Sequence, residues 1–296
     1  PLPHWTADTL LAACAMLVTV GLLDDRFDLS PWTRLSVQIA ASLTLILGAG
    51  ATLNTLGAPF GQPILLQGSL SYAVTAICMI AAVNAFNMLD GMDGLAGALA
   101  MVALIALAFL AGQGGHTVAL SVSVVIMAAV AAFLLSNLPI EFNRNVRCFM
   151  GDSGSTLLGI SVAWLCVEVS QAAAPAARPV TMLWIVAIPL FDLVWTVIRR
   201  SIRGIPPFRS DQGHFHHLVL QAGFGVKGAF ILLVLIAALL ATIGIAIDQA
   251  GIPDSMSLAL LVIAGASTVK LLNSPDLMWK LVPRPLRSRR RAVSKT

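Results

Sequence analysis

The chain has 296 residues, of which 58% are hydrophobic and 11% charged, with a net charge of +4 and a mean hydropathy of +0.88. A soluble domain carries about 25% charged residues to coat its surface, so composition excludes a water-exposed globule. What remains is an all-α, polytopic membrane bundle, in which every apolar run closes its backbone hydrogen bonds within a helix.

A spanning helix needs roughly 20 apolar residues, and runs of that kind lie at about 6–23, 33–50, 70–88, 95–112, 117–136, 154–170, 180–198, 228–247 and 255–272. The opening Pro1-Leu2-Pro3 lacks the basic region of a signal peptide, and further native sequence is expected before it. The first run ends in Gly21-Leu22-Leu23-Asp24-Asp25-Arg26-Phe27-Asp28. Adjacent carboxylates repel unless a cation or a proton sits between them, so they suit Mg²⁺, a basic side chain or proton transfer. Read alone, the segment is better taken as a solvated acidic helix end beside Arg26 and Arg34. The uncharged stretch 51–70, rich in Gly, Pro and Thr, is expected to form a short surface hairpin.

The third run leads into Asn84-Ala85-Phe86-Asn87-Met88-Leu89-Asp90-Gly91-Met92-Asp93-Gly94. Asn87, Asp90 and Asp93 recur every three residues and are expected along one helical surface. Their oxygens suit a hard cation or sugar hydroxyls, while Gly91 and Gly94 permit close backbone approach or a helix break. Before the sixth run stands Phe149-Met150-Gly151-Asp152-Ser153-Gly154-Ser155, where exposed amides at a helix start favour phosphate. Asp152 or Ser153 is also a natural cap there. Within the seventh run Asp192 is costly in lipid, and is expected to face the bundle or a polar entrance.

After that run comes Pro206-Pro207-Phe208-Arg209-Ser210-Asp211-Gln212-Gly213-His214-Phe215-His216-His217. No cysteine or second histidine pair accompanies it, so diphosphate binding by Arg209 and the imidazoles is preferred to zinc. The four cysteines show no ligand spacing and read as small packing residues.

The loops alternate in charge. One set holds 17 of the 18 Lys and Arg, and the opposite set only Arg178. The positive-inside rule then places the N-terminus outside and the C-terminus in the cytoplasm. Asp24, Asp25, Asp90, Asp93, Asp152 and the histidines share that cytoplasmic face. Residues 1–283 are expected to form one transmembrane catalytic domain. The basic tail 284–296 anchors to anionic lipid, and no nucleic-acid partner is expected.

The segments LLDDRFDL, NAFNMLDGMDGLAG, FMGDSGST and GHFHHL, in this order and on one face, resemble the polyprenyl-phosphate N-acetylhexosamine-1-phosphate transferase family. The His-x-His-His form is similar to its WecA-type branch of undecaprenyl-phosphate GlcNAc-1-phosphate transferases. The resemblance implies Mg²⁺ (or Mn²⁺) at Asp152 and Asn87, and catalytic work by Asp24, Asp25 and Asp152. It implies a nucleotide-sugar pocket with Asn84, Asp90 and Asp93, and diphosphate contacts from His214, His216 and His217. The substrates implied are a UDP-N-acetylhexosamine and polyprenyl phosphate, at a bacterial cytoplasmic membrane. The product would begin a lipid-linked envelope glycan such as O-antigen, and a homodimer is left open. Two departures stand out: members usually have one or two further upstream helices, and Gln212 stands where an arginine often precedes the histidines, leaving Arg209 as the substitute. A transporter and an intramembrane aspartyl protease using Asp152 and Asp192 are the rival readings. The first should gather its polar groups near the midplane, and the second gives no role to Asp24, Asp90 or His214.

Overall fold

The computed structural model describes residues 4–138, 148–204, 213–274 and 277–278, with side chains from Ala7 onward. Eleven helices are present among them: α1 (His4–Phe27), α2 (Pro31–Ala49), α3 (Gly68–Leu89), α4 (Leu95–Gly114), α5 (Thr117–Asn137), α6 (Gly151–Gln171), α7 (Pro179–Ile185), α8 (Ala187–Arg203), α9 (Phe215–Gln221), α10 (Val226–Gln249) and α11 (Asp254–Leu272). Every expected apolar run is helical.

The nine runs are not nine equal spans, however. Seven of the described helices are long and apolar enough to cross a membrane, and an eighth span would have to be the bent pair α7–α8. Expected as one helix over 180–198, that pair bends by 85° at Val186. Pro189 supplies the reason, since it has no N–H for the carbonyl of Ile185 and its ring crowds the preceding turn. The other expected run that falls outside the seven is α2, whose first half brings Arg34 and Gln38 to the lining of a cavity. Its start is set by Pro31 at the first turn and by Ser30, whose hydroxyl accepts from Thr33 N at 3.2 Å.

The most enclosed helix is α6. Ile160, Trp164 and Leu165 are fully buried, and α1, α3 and α4 pack around them. Two glycines bring these helices together. A Cβ on Gly159 would lie 2.6 Å from Val83 Cα in α3, and one on Gly21 would lie 2.5 Å from Ser153 Cα and N. No side chain fits at either place, so backbone packs on backbone.

The two ends of the bundle differ. At one end the 51–66 segment forms the expected hairpin, with Leu56 N donating to Ile64 O and Ile64 N to Gly57 O. Gln171 of α6 accepts from Asn54 N and Thr55 N, while Asp254 accepts from Ala58 N. Arg178 bridges Asp248 of α10 and Asp254 of α11. The other end gathers the C-termini of α1 and α3, the N-termini of α2 and α6, and the α8–α9 region.

Candidate active site

The α1–α2 turn is built around Asp24. Its Oδ1 accepts from Leu29 N at 2.8 Å, and its Oδ2 from Arg34 Nη1 at 2.8 Å. The same Nη1 reaches Asp152 Oδ2 at 3.4 Å, and Asp24 lies within hydrogen-bonding reach of Asp152. Two carboxylates from helices distant in sequence therefore converge on one guanidinium. Like charges can share such a spot only with a cation or a proton between them.

Asp152 can face this cluster because it does not cap its own helix. The N-cap position is Met150, which has no side-chain bond, and Asp25 takes the role from α1 by accepting from Asp152 N at 3.4 Å. The expectation that Asp152 or Ser153 serves as the cap is corrected accordingly. The fit is close, since a Cβ at Gly151 (φ +63°) would meet Asp25 Oδ2 at 2.6 Å. Asn87 joins from α3, donating to Ser155 Oγ at 3.1 Å beside Asp152.

These groups open on a cavity of about 740 Å³. Its polar end is lined by Asp24, Arg34, Asn84, Asn87, Asp152, Arg200 and His214. Its walls are apolar, with Leu17, Val20 and Leu35 on one side and Ile77, Ile80, Leu193 and Val197 on the other. Asn84 donates to Gln38 Oε1 at 2.8 Å, which ties α3 to α2 across the cavity.

Asp90 and Asp93 do not join Asn87 on one helical surface. Helix α3 ends at Leu89; Asp90 is its C-cap, and the chain turns through Gly94 at φ +72°. The threefold spacing thus spans a helix and a turn, and the two carboxylates line a neighbouring pocket of about 260 Å³ with Asn137, Phe149 and Met150. Burial, reinforced by the charges of Asp152, Asp25 and Asp93, pushes the Asp90 carboxyl up to about 7.

The histidine motif joins the two pockets. His216 packs against Gly91, where a Cβ would stand 2.5 Å from Nε2, so only glycine leaves room for the ring. Burial, then the charges of His217 and His214, lower His216 to about 3, which keeps it a neutral imidazole. His217 lies against it with ring centroids 4.1 Å apart. His214 is held from α8, with Nδ1 2.8 Å from Asp192 Oδ2. Arg209 and Gln212 lie outside the described residues.

Sequence reasoning set Arg34 beside the acidic end of the first helix and read Asp192 as a costly polar residue, without finding Asp152 and His214 as their partners. An arginine ten residues after a carboxylate pair is a usable signal, because one turn and one helical step bring it back. Arg200 had no such signal; only the fold turns it inward. Among the described residues no three His, Cys, Asp or Glu side chains assemble as a metal cage. The oxygen donors that do converge, Asp24, Asp152 and Asn87, are nevertheless the hard set that Mg²⁺ prefers when substrate oxygens complete its shell.

The glycosyl transferase family 4 model matches residues 8–170, which include both aspartate pairs, Asn87 and Asp152. The chain belongs to glycosyl transferase family 4. Three relatives carry the name undecaprenyl-phosphate alpha-N-acetylglucosaminyl 1-phosphate transferase. That of Escherichia coli K12 is 39% identical over 264 residues, 89% of this chain and 71% of the relative. That of Yersinia pestis is 41% identical over 265 residues, 89% and 72%. The Salmonella typhimurium protein is 40% identical over 265 residues, 89% and 71%. As a family 4 member this multi-pass membrane protein is a phosphotransferase enzyme, and the protease and transporter readings are set aside. Asp192 is moreover committed to His214 rather than paired with Asp152.

Proposed function

We propose that the protein transfers N-acetylglucosamine 1-phosphate from UDP-GlcNAc to undecaprenyl phosphate, releasing UMP and starting a lipid-linked envelope glycan such as O-antigen. The observation that carries this reading is the two-natured cavity. Apolar walls between α1, α3 and α8 suit an isoprenoid chain, and they end at Arg34, Arg200 and His214, which suit phosphate. The shallower pocket at Asp90 and Asp93 offers acceptors for the hydroxyls and amide of a nucleotide sugar. The names of the relatives favour the same pair of substrates.

In this reading the lipid phosphate oxygen attacks the sugar-linked phosphorus, the bond to UMP breaks, and the diphospho-sugar stays on the lipid. Such transfers depend mostly on positioning and on neutralising charge. Arg34 holds the acceptor phosphate beside Asp24, and His214 with Arg200 faces the donor diphosphate. His216, being neutral, braces the turn that presents Asp90. Asp24, Asp152 and Asn87 would hold Mg²⁺, which when bound neutralises diphosphate oxygens and polarises the phosphorus. The site end is assigned to the cytoplasm of a bacterial inner membrane because the loops on its side carry 17 of the 18 Lys and Arg.

The test is UMP release by the purified protein with undecaprenyl phosphate and UDP-GlcNAc, with and without Mg²⁺. Metal-dependent UMP and a lipid-linked sugar, both lost in Asp152→Asn, are expected. A folded protein that releases no UMP from any UDP-N-acetylhexosamine would overturn the reading.

A further inference from the structure

Asp192 is fully buried, and both its oxygens are engaged by the histidine segment. Oδ2 lies 2.8 Å from His214 Nδ1, and Oδ1 accepts from Phe215 N at 2.7 Å. Thr196, one turn further along α8, places its hydroxyl 3.4 Å from the same Nδ1. A buried carboxylate facing a ring nitrogen needs a proton between them, so Nδ1 carries the hydrogen. His214 lines the cavity that also holds Asp24, Asn87 and Asp152, and Nε2 stands on the ring edge away from Asp192.

This arrangement depends on the bend at Val186. Pro189 turns α8 by 85° away from α7, and Asp192 stands six residues beyond the break. From there it reaches a histidine 22 residues later in the chain. A carboxylate placed only to cap α9 would need one acceptor, for Phe215 N. The second, aimed at a ring that lines the cavity, is what a cap does not require.

We propose that Asp192 is a positioning residue for the transfer, acting through His214: it fixes the ring plane, holds the hydrogen on Nδ1 and keeps Nε2 directed at the donor diphosphate. This rests on reading the cavity as the transfer site. Asp192→Asn separates the two roles. The amide oxygen still accepts from Phe215 N, but the amide N–H groups now oppose Nδ1 and drive the hydrogen to Nε2.

The experiment is a double-mutant cycle of Asp192→Asn with His214→Gln, measured as kcat and KM for UMP release from UDP-GlcNAc, with thermal stability alongside. Asp192→Asn should stay folded and lose roughly 30- to 100-fold in kcat, with KM within about threefold of wild type. In the His214→Gln background it should cost nothing further, because the residue it acts through is gone. Equal losses in both backgrounds would make Asp192 a cap alone and overturn the inference. Should Asp192→Asn not fold, Asp192→Glu is compared with Asp192→Gln. Activity at least tenfold higher for the carboxylate supports the proposal, and equal activity overturns it. A wild-type protein that does not turn over UDP-GlcNAc would sink the substrate assignment alone. The same cycle read by calorimetric UMP affinity then decides, coupling supporting the clamp and additivity refuting it.

Discussion

Gly159→Ala adds one methyl group at the place where α6 lies directly on α3. The new carbon would stand 2.6 Å from Val83 Cα, 3.0 Å from Ala82 O and 3.1 Å from Val83 N. All three are backbone atoms, so no side chain can swing away. Relief requires the two helices to part by roughly 0.8–1 Å, and overpacking of this kind costs about 1–3 kcal/mol. Alanine's better helix propensity returns about 0.5–1 kcal/mol of that. For a chain of this size the remainder, up to about 2.5 kcal/mol, lowers Tm by up to roughly 5–10 °C. The larger effect is expected on activity. Ser155 stands one turn before Gly159 and Asn87 one turn after Val83, and their 3.1 Å hydrogen bond closes the site beside Asp152. A displacement of about 1 Å between catalytic groups can cost on the order of 100-fold in rate. Thermal denaturation in detergent and UMP release from the same preparation measure both effects. Gly112→Ala is the control: nothing lies within 4 Å of its would-be Cβ, so stability should rise slightly and turnover stay unchanged. A Gly159→Ala protein with wild-type Tm and turnover would refute the idea that this contact sets the site.

Two other perturbations test the charges. The Asp90 carboxyl is raised to about 7 from an ordinary 3.8, so the folded state keeps a proton that the unfolded chain gives up. Its contribution is full below pH 4 and lost as pH rises through 7, a loss of about 2 kcal/mol once solvent screening at a partly exposed group is allowed for. Asp90→Asn should therefore match wild type in Tm at pH 4 and exceed it at pH 8; an equal difference at both pH values would exclude the linkage. Arg34→Gln removes the guanidinium between Asp24 and Asp152. Because Arg34 is 37% exposed, about 1–2 kcal/mol is expected to be lost at pH 8, and millimolar Mg²⁺ should restore more Tm to this variant than to wild type. A Tm unchanged by the substitution would show that the carboxylates do not need it.

Much of the molecule was readable in the sequence because lipid leaves the backbone so few options. Each apolar run became a helix, and Gly, Pro and Thr at 51–70 became a hairpin. The motif segments, far apart in the chain, met at one end as their shared polarity required. Where reading failed, local spacing was asked to stand for tertiary geometry. Asn87, Asp90 and Asp93 keep a threefold rhythm, but α3 ends at Leu89 between them, and only Asn87 turns toward Asp152. The bend at Val186 was latent in Pro189, yet that proline is the tenth residue of the 180–198 run, and the apolar residues on both sides of it read as one span. Asp25 as the cap of α6, and Asp192 as the partner of His214, are contacts across 127 and 22 residues. No periodicity carries that information.

The ties at the far end of the bundle have a mechanical consequence for the proposed transfer site. There the hairpin is laced to α6 through Gln171, and α10 and α11 are joined by Arg178. The site end has instead an open cavity between α2, α3 and α8. Where the cavity separates them, helices tied at the far end behave as cantilevers. For an arm of about 30 Å, a tilt of roughly 2° moves the free tip by about 1 Å. That is the distance over which catalytic alignment is won or lost. The register of Asp24, Asn87 and Asp152 thus rests on hydrogen bonds on the opposite side of the membrane-spanning core as well as on the contacts at the site itself.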